Sequence, residues 1–427
     1  MGFVQHIKLE INKWNRNIKL FFLANIFYQI GSGIFSVLYN LYIQSLGYSE
    51  TMNGSIVSIQ SLATALMFIP IGFIGDRSSR KRLLIIGSLL TGLTFVGRAF
   101  AEAELSMQLL AIGSGIFVTC FQVLAVPFLA ENVSKEYRLK FFSYHFSMVL
   151  AAQVLGSLGG GFIADILESI GWEQKTSLQT ILMIGGIASI IAFLPLLFVT
   201  ESKSKEQADH QSKLEMTEYK PLTANTSKSE WKTIAQLTLI QLIIGIGSGL
   251  VIPYLNLYFV NRFNVNLTMV GLLISLGQVM TIISMMIGPM LVNRVGQVRA
   301  VICFQLLSLP FLILTGYTNL LIIASISFLF RQALMNAANP ITSSIMVERV
   351  SDARRGIVNS LTQAAFMMGW ASMGTVQSYF VTTYGSYWGY AITFSITGVL
   401  YITAASLFYI MFGSKTKKHT RPVEMKG

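Results

Sequence analysis

Twelve apolar stretches limit the structures open to this chain. Each is long enough to cross a lipid bilayer as a helix, and they lie near residues 20–43, 53–75, 83–101, 105–129, 142–165, 178–200, 233–259, 268–291, 298–316, 320–345, 357–381 and 389–412. Because backbone polar groups in hydrocarbon must be satisfied within the segment, the stretches predict transmembrane helices. The composition fits an all-α membrane protein, since 53% of the residues are hydrophobic and only 12% are charged.

The positions of Lys and Arg predict how the helices are oriented. With the N-terminus inside, 27 of the 31 basic residues lie in segments that face the cytoplasm, as the positive-inside rule requires. We therefore expect a multi-pass protein of the cell membrane with both termini cytoplasmic. The same distribution accounts for the net charge of +12 without a nucleic-acid partner.

A long polar interval divides the chain into two bundles. We expect a cytoplasmic amphipathic leader at residues 1–19, a six-helix bundle at 20–200, a cytoplasmic linker at 201–232, a second six-helix bundle at 233–412 and a cytoplasmic tail at 413–427. Apolar residues at helical spacing predict that the leader is an interfacial helix; a frayed basic segment is the alternative. The linker is rich in Lys, Glu, Ser and Thr, which is typical of a flexible connection.

The two bundles are copies of one unit. The segment Gly31-Ser-Gly followed by Asn40-Leu-Tyr recurs 216 residues later as Gly247-Ser-Gly followed by Asn256-Leu-Tyr. Each copy has an even number of spans, so both insert with the same orientation and form parallel repeats about an axis along the membrane normal. The predicted fold is therefore twelve transmembrane helices in two parallel six-helix pseudo-repeats, with a solute site between them.

Polar residues inside the spans predict the walls of a central water-accessible cavity. Arg331 lies near the middle of the tenth span, where an isolated cation costs at least ~2.5 kcal/mol and so requires a partner. Amide and hydroxyl side chains follow it at helical spacing, and similar stripes mark the first and seventh spans. The predicted cavity residues are Asn25, Gln29, Ser32, Ser36, Gln241, Ser248, Gln278, Arg331, Gln332, Asn336 and Asn339. Polar residues that hold helices together are the alternative.

Two motifs resemble those of the major facilitator superfamily. Residues 72–81 match its signature loop Gly-x-x-x-Asp-Arg/Lys-x-Gly-Arg-Arg/Lys, with Ser79 in place of the second glycine. The fifth span resembles the antiporter motif Gly-x-x-x-Gly-Pro-x-x-Gly-Gly, with Ala152 and Ser157 replacing a glycine and the proline. The resemblance implies a carrier that works by alternating access between two halves.

The same resemblance implies gates at both ends of the solute path. Gly72 would let the second span approach the other half closely, Asp76 would face the start of the eleventh span, and Arg80 would pair with Glu131 as an inner latch. A merely basic loop is the alternative. Glycines of the fifth span would pack against the other half on the extracellular side. The predicted gating residues are Gly72, Asp76, Arg77, Arg80, Glu131, Gly156, Gly160 and Gly161.

The composition limits the chemistry further. Two cysteines and four scattered histidines predict neither a metal centre nor a cofactor. The acidic residues fall in loops or at span ends, so a proton-carrying carboxylate at mid-membrane is not expected and the coupling ion stays open. His145 is the one embedded group with a reference pKa near neutrality, and a structural role is expected for it.

We therefore expect a monomeric carrier, not an enzyme, whose partners are a small-molecule substrate and the lipid bilayer. An exporter or exchanger of small amphipathic molecules is favoured by the fifth-span motif and by the Phe-rich and Met-rich helices. The alternative is a uniporter or importer of a polar solute, a sugar or an organic anion, which the amide stripes and Arg331 favour. A membrane sensor or scaffold on a carrier fold is the third possibility.

Overall fold

The computed structural model describes residues 14–134, 137–200, 224–351 and 354–413, and these residues are helical apart from short connections. The first half contains the helices Arg16–Ser45, Glu50–Arg77, Arg80–Phe100, Glu104–Asn132, Arg138–Ser169 and Gln174–Ile191, followed by the short helix Phe193–Leu197. The second half contains Ala224–Gly249, the short turn Ile252–Tyr254, Leu255–Phe263, Leu267–Val295, Gln297–Tyr317, Leu321–Arg349 and Arg355–Phe412.

Eleven segments of the described chain are long and apolar enough to cross a membrane. The last of them, Ile357–Phe412, has 56 residues and is long enough for two spans. Gly385 interrupts Arg355–Phe412 with φ 75° and ψ 173°, a conformation open mainly to glycine. The helix therefore turns back at Gly385, and residues 355–384 and 386–412 form the eleventh and twelfth spans. This confirms the predicted all-α fold of twelve spans, which are numbered here in chain order.

The seventh span differs in extent from the predicted segment. The helix of the seventh span begins at Ala224, inside the interval expected to be linker, and is broken by the turn at Ile252–Tyr254 before it continues to Phe263. Residues 1–13 of the predicted leader and 414–427 of the tail lie outside the described residues. Trp14 packs against Phe22 of the first span and Tyr144 of the fifth span.

The apolar core is divided at one end of the bundle and continuous at the other. We call the end that carries the turn between the second and third spans, with Arg77 and Arg80, the basic end. There each half has its own buried cluster, around Phe21 and Phe128 in one and around Phe304 and Phe408 in the other. At the opposite end one cluster contains residues of both halves. The two halves are thus joined at the opposite end and separately packed at the basic end.

Candidate functional site

A cavity of about 500 Å³ lies between the two halves. Four of the predicted cavity residues line it, Ser32 and Ser36 from the first span, Gln278 from the eighth and Gln332 from the tenth. Its other lining residues are Phe35, Tyr39, Asn40, Ile56, Val57, Gln60, Ser61, Thr64, Phe95, Arg98, Val118, Gln122, Gln153, Ile252, Pro253, Leu255, Asn256, Ile274, Phe328, Met367 and Trp370. Amides and aromatic rings therefore share the wall.

Two repeat-related asparagines close the cavity at the opposite end. Asn40 donates to the carbonyl oxygen of Pro253 at 2.7 Å, and Asn256 donates to that of Val37, also at 2.7 Å. The Asn40 amide also lies 3.4 Å from the Asn256 Oδ1. The two bonds are repeat equivalents, because Asn256 lies 216 residues after Asn40 and Pro253 lies 216 residues after Val37. The duplicated Asn-Leu-Tyr segment is thus a symmetric contact between the halves.

Small residues bring the helices of the two halves into backbone contact. A Cβ on Gly374 would meet the carbonyl oxygen of Gly54 and the Ser58 hydroxyl, so the second and eleventh spans touch at a point where only glycine fits. The repeat-equivalent contact joins the fifth and eighth spans, where the hydroxyls of Ser157 and Ser275 lie 2.8 Å apart. Gly54 and Gly374 were not among the predicted gating residues.

The fifth-span glycines lie on two different faces of their helix. Gly161 faces the other half, since a Cβ there would meet the carbonyl oxygen of Leu267 in the eighth span. Gly156 and Gly160 instead face Ile30 and Ile34 of the first span, in their own half. The expectation of contact with the other half is therefore wrong for these two, because Gly156 and Gly160 lie on a different face of the helix from Gly161.

Gly72 likewise packs within its own half. The nearest atom to a Cβ on Gly72 is the Val123 Cγ1 of the fourth span, at 3.7 Å. That is an ordinary contact, so the expected close approach of Gly72 to the other half is wrong. The second span makes its close approach at Gly54 instead, nearer the opposite end.

Two acidic residues add to the contact between the halves at the opposite end. Asp165 accepts hydrogen bonds from the backbone N–H groups of Leu267 and Thr268, at 3.2 and 2.7 Å. A carboxylate at a helix N-terminus satisfies free N–H groups and the helix dipole. Glu50 accepts from the Asn261 side chain at 2.7 Å. Opening this end therefore requires both carboxylates to lose their partners.

Arg98 of the third span lines the cavity, although it is not among the predicted cavity residues. The residue is 4% exposed, and its Nη1 donates to Gln60 at 2.8 Å and to Ser114 at 3.0 Å. It also stands over the Tyr39 ring, 3.8 Å from the centroid. Arg98 is near the end of its span, and its long side chain reaches back into the bundle.

Arg331 is buried in the second half and does not line the cavity. Its partners are the hydroxyl of Tyr401, at 2.9 Å, and the side chain of Gln332, at 3.1 Å. The requirement for a partner is met, but from within the protein. The placement of Arg331 in the cavity wall is therefore wrong, because its side chain points from the tenth span towards the twelfth.

Other predicted cavity residues support the wall from behind. Gln29 accepts a hydrogen bond from Gln153, and Ser248 accepts one from the Trp370 indole, at 2.9 and 2.8 Å. Asn25 is fully buried against His145, at 3.3 Å.

The remaining three lie in the second half. Gln241 borders a separate small void. Asn336 and the exposed Asn339 continue the face of Gln332 towards the basic end, so this stripe leads from the cavity to that end.

The signature loop forms contacts at the basic end. Arg80 pairs with Glu131 at 2.9 Å, the pairing that the resemblance implied, and it joins the third and fourth spans of one half. Arg77 lies over the Phe73 ring. The side chain of Asp76 lies outside what the structure describes, so its expected contact with the eleventh span stays a prediction. No group of three potential metal ligands occurs within the described ranges.

Known proteins share this sequence pattern. The chain matches the Major Facilitator Superfamily over residues 21–236 and 237–427. An uncharacterized MFS-type transporter from Methanocaldococcus jannaschii is 21% identical over 360 residues, which cover 84% of this chain and 89% of that protein. The multidrug resistance efflux pump PmrA of Streptococcus pneumoniae is 25% identical over 198 residues, 45% of this chain and 47% of the pump. The chain thus spans less than half of PmrA.

Solved structures share the fold. A D-xylose-proton symporter has a TM-score of 0.75 at 16% identity, covering 92% of this chain and 97% of its own. A bacterial homolog of the human lysosomal transporter Spinster, inward-facing and unoccupied, has a TM-score of 0.72 at 14% identity, covering 92% and 96%. With a family match over both halves and twelve spans around one cavity, the chain belongs to the Major Facilitator Superfamily of transporters.

Proposed function

We propose that this transporter exports or exchanges small amphipathic molecules across the cell membrane by alternating access. The observation that carries the proposal is the cavity between the halves, whose wall combines amides with Phe35, Phe328 and Trp370. Such a wall suits a molecule with an apolar body and a polar group. The match to an efflux pump supports export over import.

The arrangement of contacts supports an inward-open state. The halves share a core and hydrogen bonds at the opposite end, whereas at the basic end their clusters are separate. If the basic end is cytoplasmic, as the positive-inside rule requires, the cavity is loaded from inside the cell. Release then requires separation of the Asn40 and Asn256 contact.

Cysteine labelling tests this orientation. In a Cys303→Ser background, Lys175→Cys at the opposite end is expected to react with an impermeant maleimide added to intact cells. Ser229→Cys, near the start of the seventh span, should react only after the cells are opened. Labelling of Ser229→Cys in intact cells would contradict a cytoplasmic basic end.

Dye flux tests the function itself. Proteoliposomes that contain the protein should transport fluorescent amphipathic dyes, and a panel of cationic, neutral and anionic dyes leaves the charge preference open. We expect flux of at least one dye to exceed that of protein-free vesicles and to saturate with concentration. Flux equal to the protein-free control for every dye would contradict the proposal and favour a sensor or scaffold.

A polar solute is the second candidate. Gln60, Gln122 and Gln153 line the first half of the cavity, and Gln278 and Gln332 line the second. Amides at these positions can bind hydroxyl groups of a sugar. Saturable uptake of labelled sugar, with no flux of any dye, would decide for this candidate.

A further inference from the structure

We propose that the cavity selects organic anions, with Arg98 binding the anionic group of an amphipathic substrate. The inference rests on the proposed transport function and specifies its substrate class. Of the described residues that line the cavity, Arg98 is the only charged one. Because no carboxylate is among the described residues of the cavity wall, the positive charge of Arg98 is left to be balanced by an anionic group of the substrate.

Arg98 lies deep in the bundle, where its charge is poorly solvated. Its partner Gln60 is ten residues into the second span, which at 1.5 Å per residue places it about 15 Å from the start of that helix. This is half of the roughly 30 Å thickness of the hydrocarbon layer. A buried cation at this depth is costly unless it is paired. The partners of Arg98, like those of Arg331, are neutral, but of these two arginines only Arg98 lines the cavity, where an anion can reach it.

Polar atoms without partners surround the same point of the cavity. The Arg98 Nε and the Tyr39 hydroxyl are buried and form no hydrogen bond, although both residues are at least nine-tenths buried and line the cavity. Both are hydrogen-bond donors, which an anionic oxygen accepts. The guanidinium also lies over the Tyr39 ring, in reach of a cation–π interaction. The free donors and the charge together form a site for a carboxylate, sulfonate or phosphate group.

Aromatic residues next to Arg98 fit an apolar substrate body. Phe35 and Phe95 are stacked with their ring centroids 4.0 Å apart, and both line the cavity. Phe328 and Trp370 line it from the other half. An anion with an aromatic or aliphatic body would pair with Arg98 and bury its body between these rings. The predicted substrate is therefore an amphipathic anion rather than an amphipathic cation.

Binding of two matched probes tests the inference without a gradient. Naphthalene sulfonate and methyl naphthyl sulfone have the same ring system, but only the sulfonate is charged. In calorimetric titrations of the purified protein in nanodiscs of zwitterionic lipid, we expect the sulfonate to bind roughly ten- to a hundredfold more tightly, the range of a charge-assisted hydrogen bond. Arg98→Gln should remove this preference, so that the sulfonate binds no more tightly than the sulfone.

Two further variants separate recognition from folding. Arg98→Lys retains the charge and should retain part of the preference, since it lacks the planar donor pair of arginine. Arg331→Gln removes a buried cation outside the cavity and should retain the full preference. Equal binding of both probes to the unmodified protein, or an intact preference in Arg98→Gln, would overturn the inference while leaving the cavity function in place. Binding of neither probe would count against the proposed function itself.

Discussion

Gly374→Leu is expected to reduce transport at least tenfold and to shift the protein towards the state that is open at the opposite end. Gly374 touches the backbone of Gly54 and the Ser58 hydroxyl, so a leucine cannot be accommodated while the second and eleventh spans are in contact. A tenfold change corresponds to about 1.4 kcal/mol, which lies within the roughly 1–3 kcal/mol that overpacking a well-packed site costs. Dye flux and the distance between spin labels on the two halves measure the two effects.

The same substitution elsewhere provides the control. A Cβ on Gly159 would have no heavy atom within 4 Å, so Gly159→Leu in the fifth span is expected to leave flux and label distance unchanged. Gly161→Leu should behave like Gly374→Leu, because Gly161 touches the Leu267 carbonyl oxygen across the interface. Normal flux in Gly374→Leu and Gly161→Leu would show that the halves need not approach at these points.

Tyr401→Phe is expected to destabilise the second half by about 1.5–3 kcal/mol, the cost of losing one hydrogen bond to a buried charged group. Arg331 is 4% exposed, and in the described structure it donates side-chain hydrogen bonds to the Tyr401 hydroxyl and to Gln332. The loss should appear as a lower melting temperature of the purified protein. Anion binding in the cavity should persist in the folded fraction, since Arg331 does not line it.

Tyr409→Phe is the matched control on the same span. Its ring is 55% exposed, so loss of its hydroxyl should leave the melting temperature unchanged. If Tyr401→Phe melts at the temperature of the unmodified protein, Arg331 is adequately paired without the tyrosine. In that case its role in the stability of the second half is smaller than proposed.

The fold was predictable because its causes are periodic in the sequence. Apolar stretches of membrane length predict spans, and the 216-residue offset between Asn40 and Asn256 predicts the pseudo-repeat. These features depend on local composition and on duplication, so they need no knowledge of packing. The eleventh and twelfth spans also follow, since Gly385 supplies the turn between two stretches that the sequence already separates.

The candidate site was less predictable because side-chain direction is not encoded in position along a span. The central position of Arg331 predicts a cavity residue, yet its side chain points towards Tyr401. Arg98 lies near the end of its span, yet its side chain extends into the cavity. The repeat contains one signal for Arg98. Ser114 is the repeat equivalent of Arg331, and it lies beside the Arg98 guanidinium. The length and direction of an arginine side chain, and not its position along the span, therefore decide whether the guanidinium reaches the cavity.

The glycines of the fifth span show the same limit of prediction from sequence. The antiporter-like motif indicated a small-residue helix, but not which of its faces meets the other half. Gly156 and Gly161 are five residues apart, about 140° around a helix, so they cannot serve the same contact. The decisive contact between Gly54 and Gly374 lies outside the motifs, and only the packed structure shows it.

A disulfide across the closed end tests alternating access most directly. Asn40 and Asn256 meet between the halves, so the pair Asn40→Cys and Asn256→Cys in a Cys303→Ser background should form a disulfide on oxidation. The pair Asn17→Cys and Asn132→Cys is the control. The Asn17 Nδ2 lies 3.0 Å from the Asn132 Oδ1, and both residues belong to the first half. Alternating access predicts that oxidation stops dye flux in the first pair only and that reduction restores it. Undiminished flux through a fully oxidised Asn40→Cys, Asn256→Cys protein would contradict it.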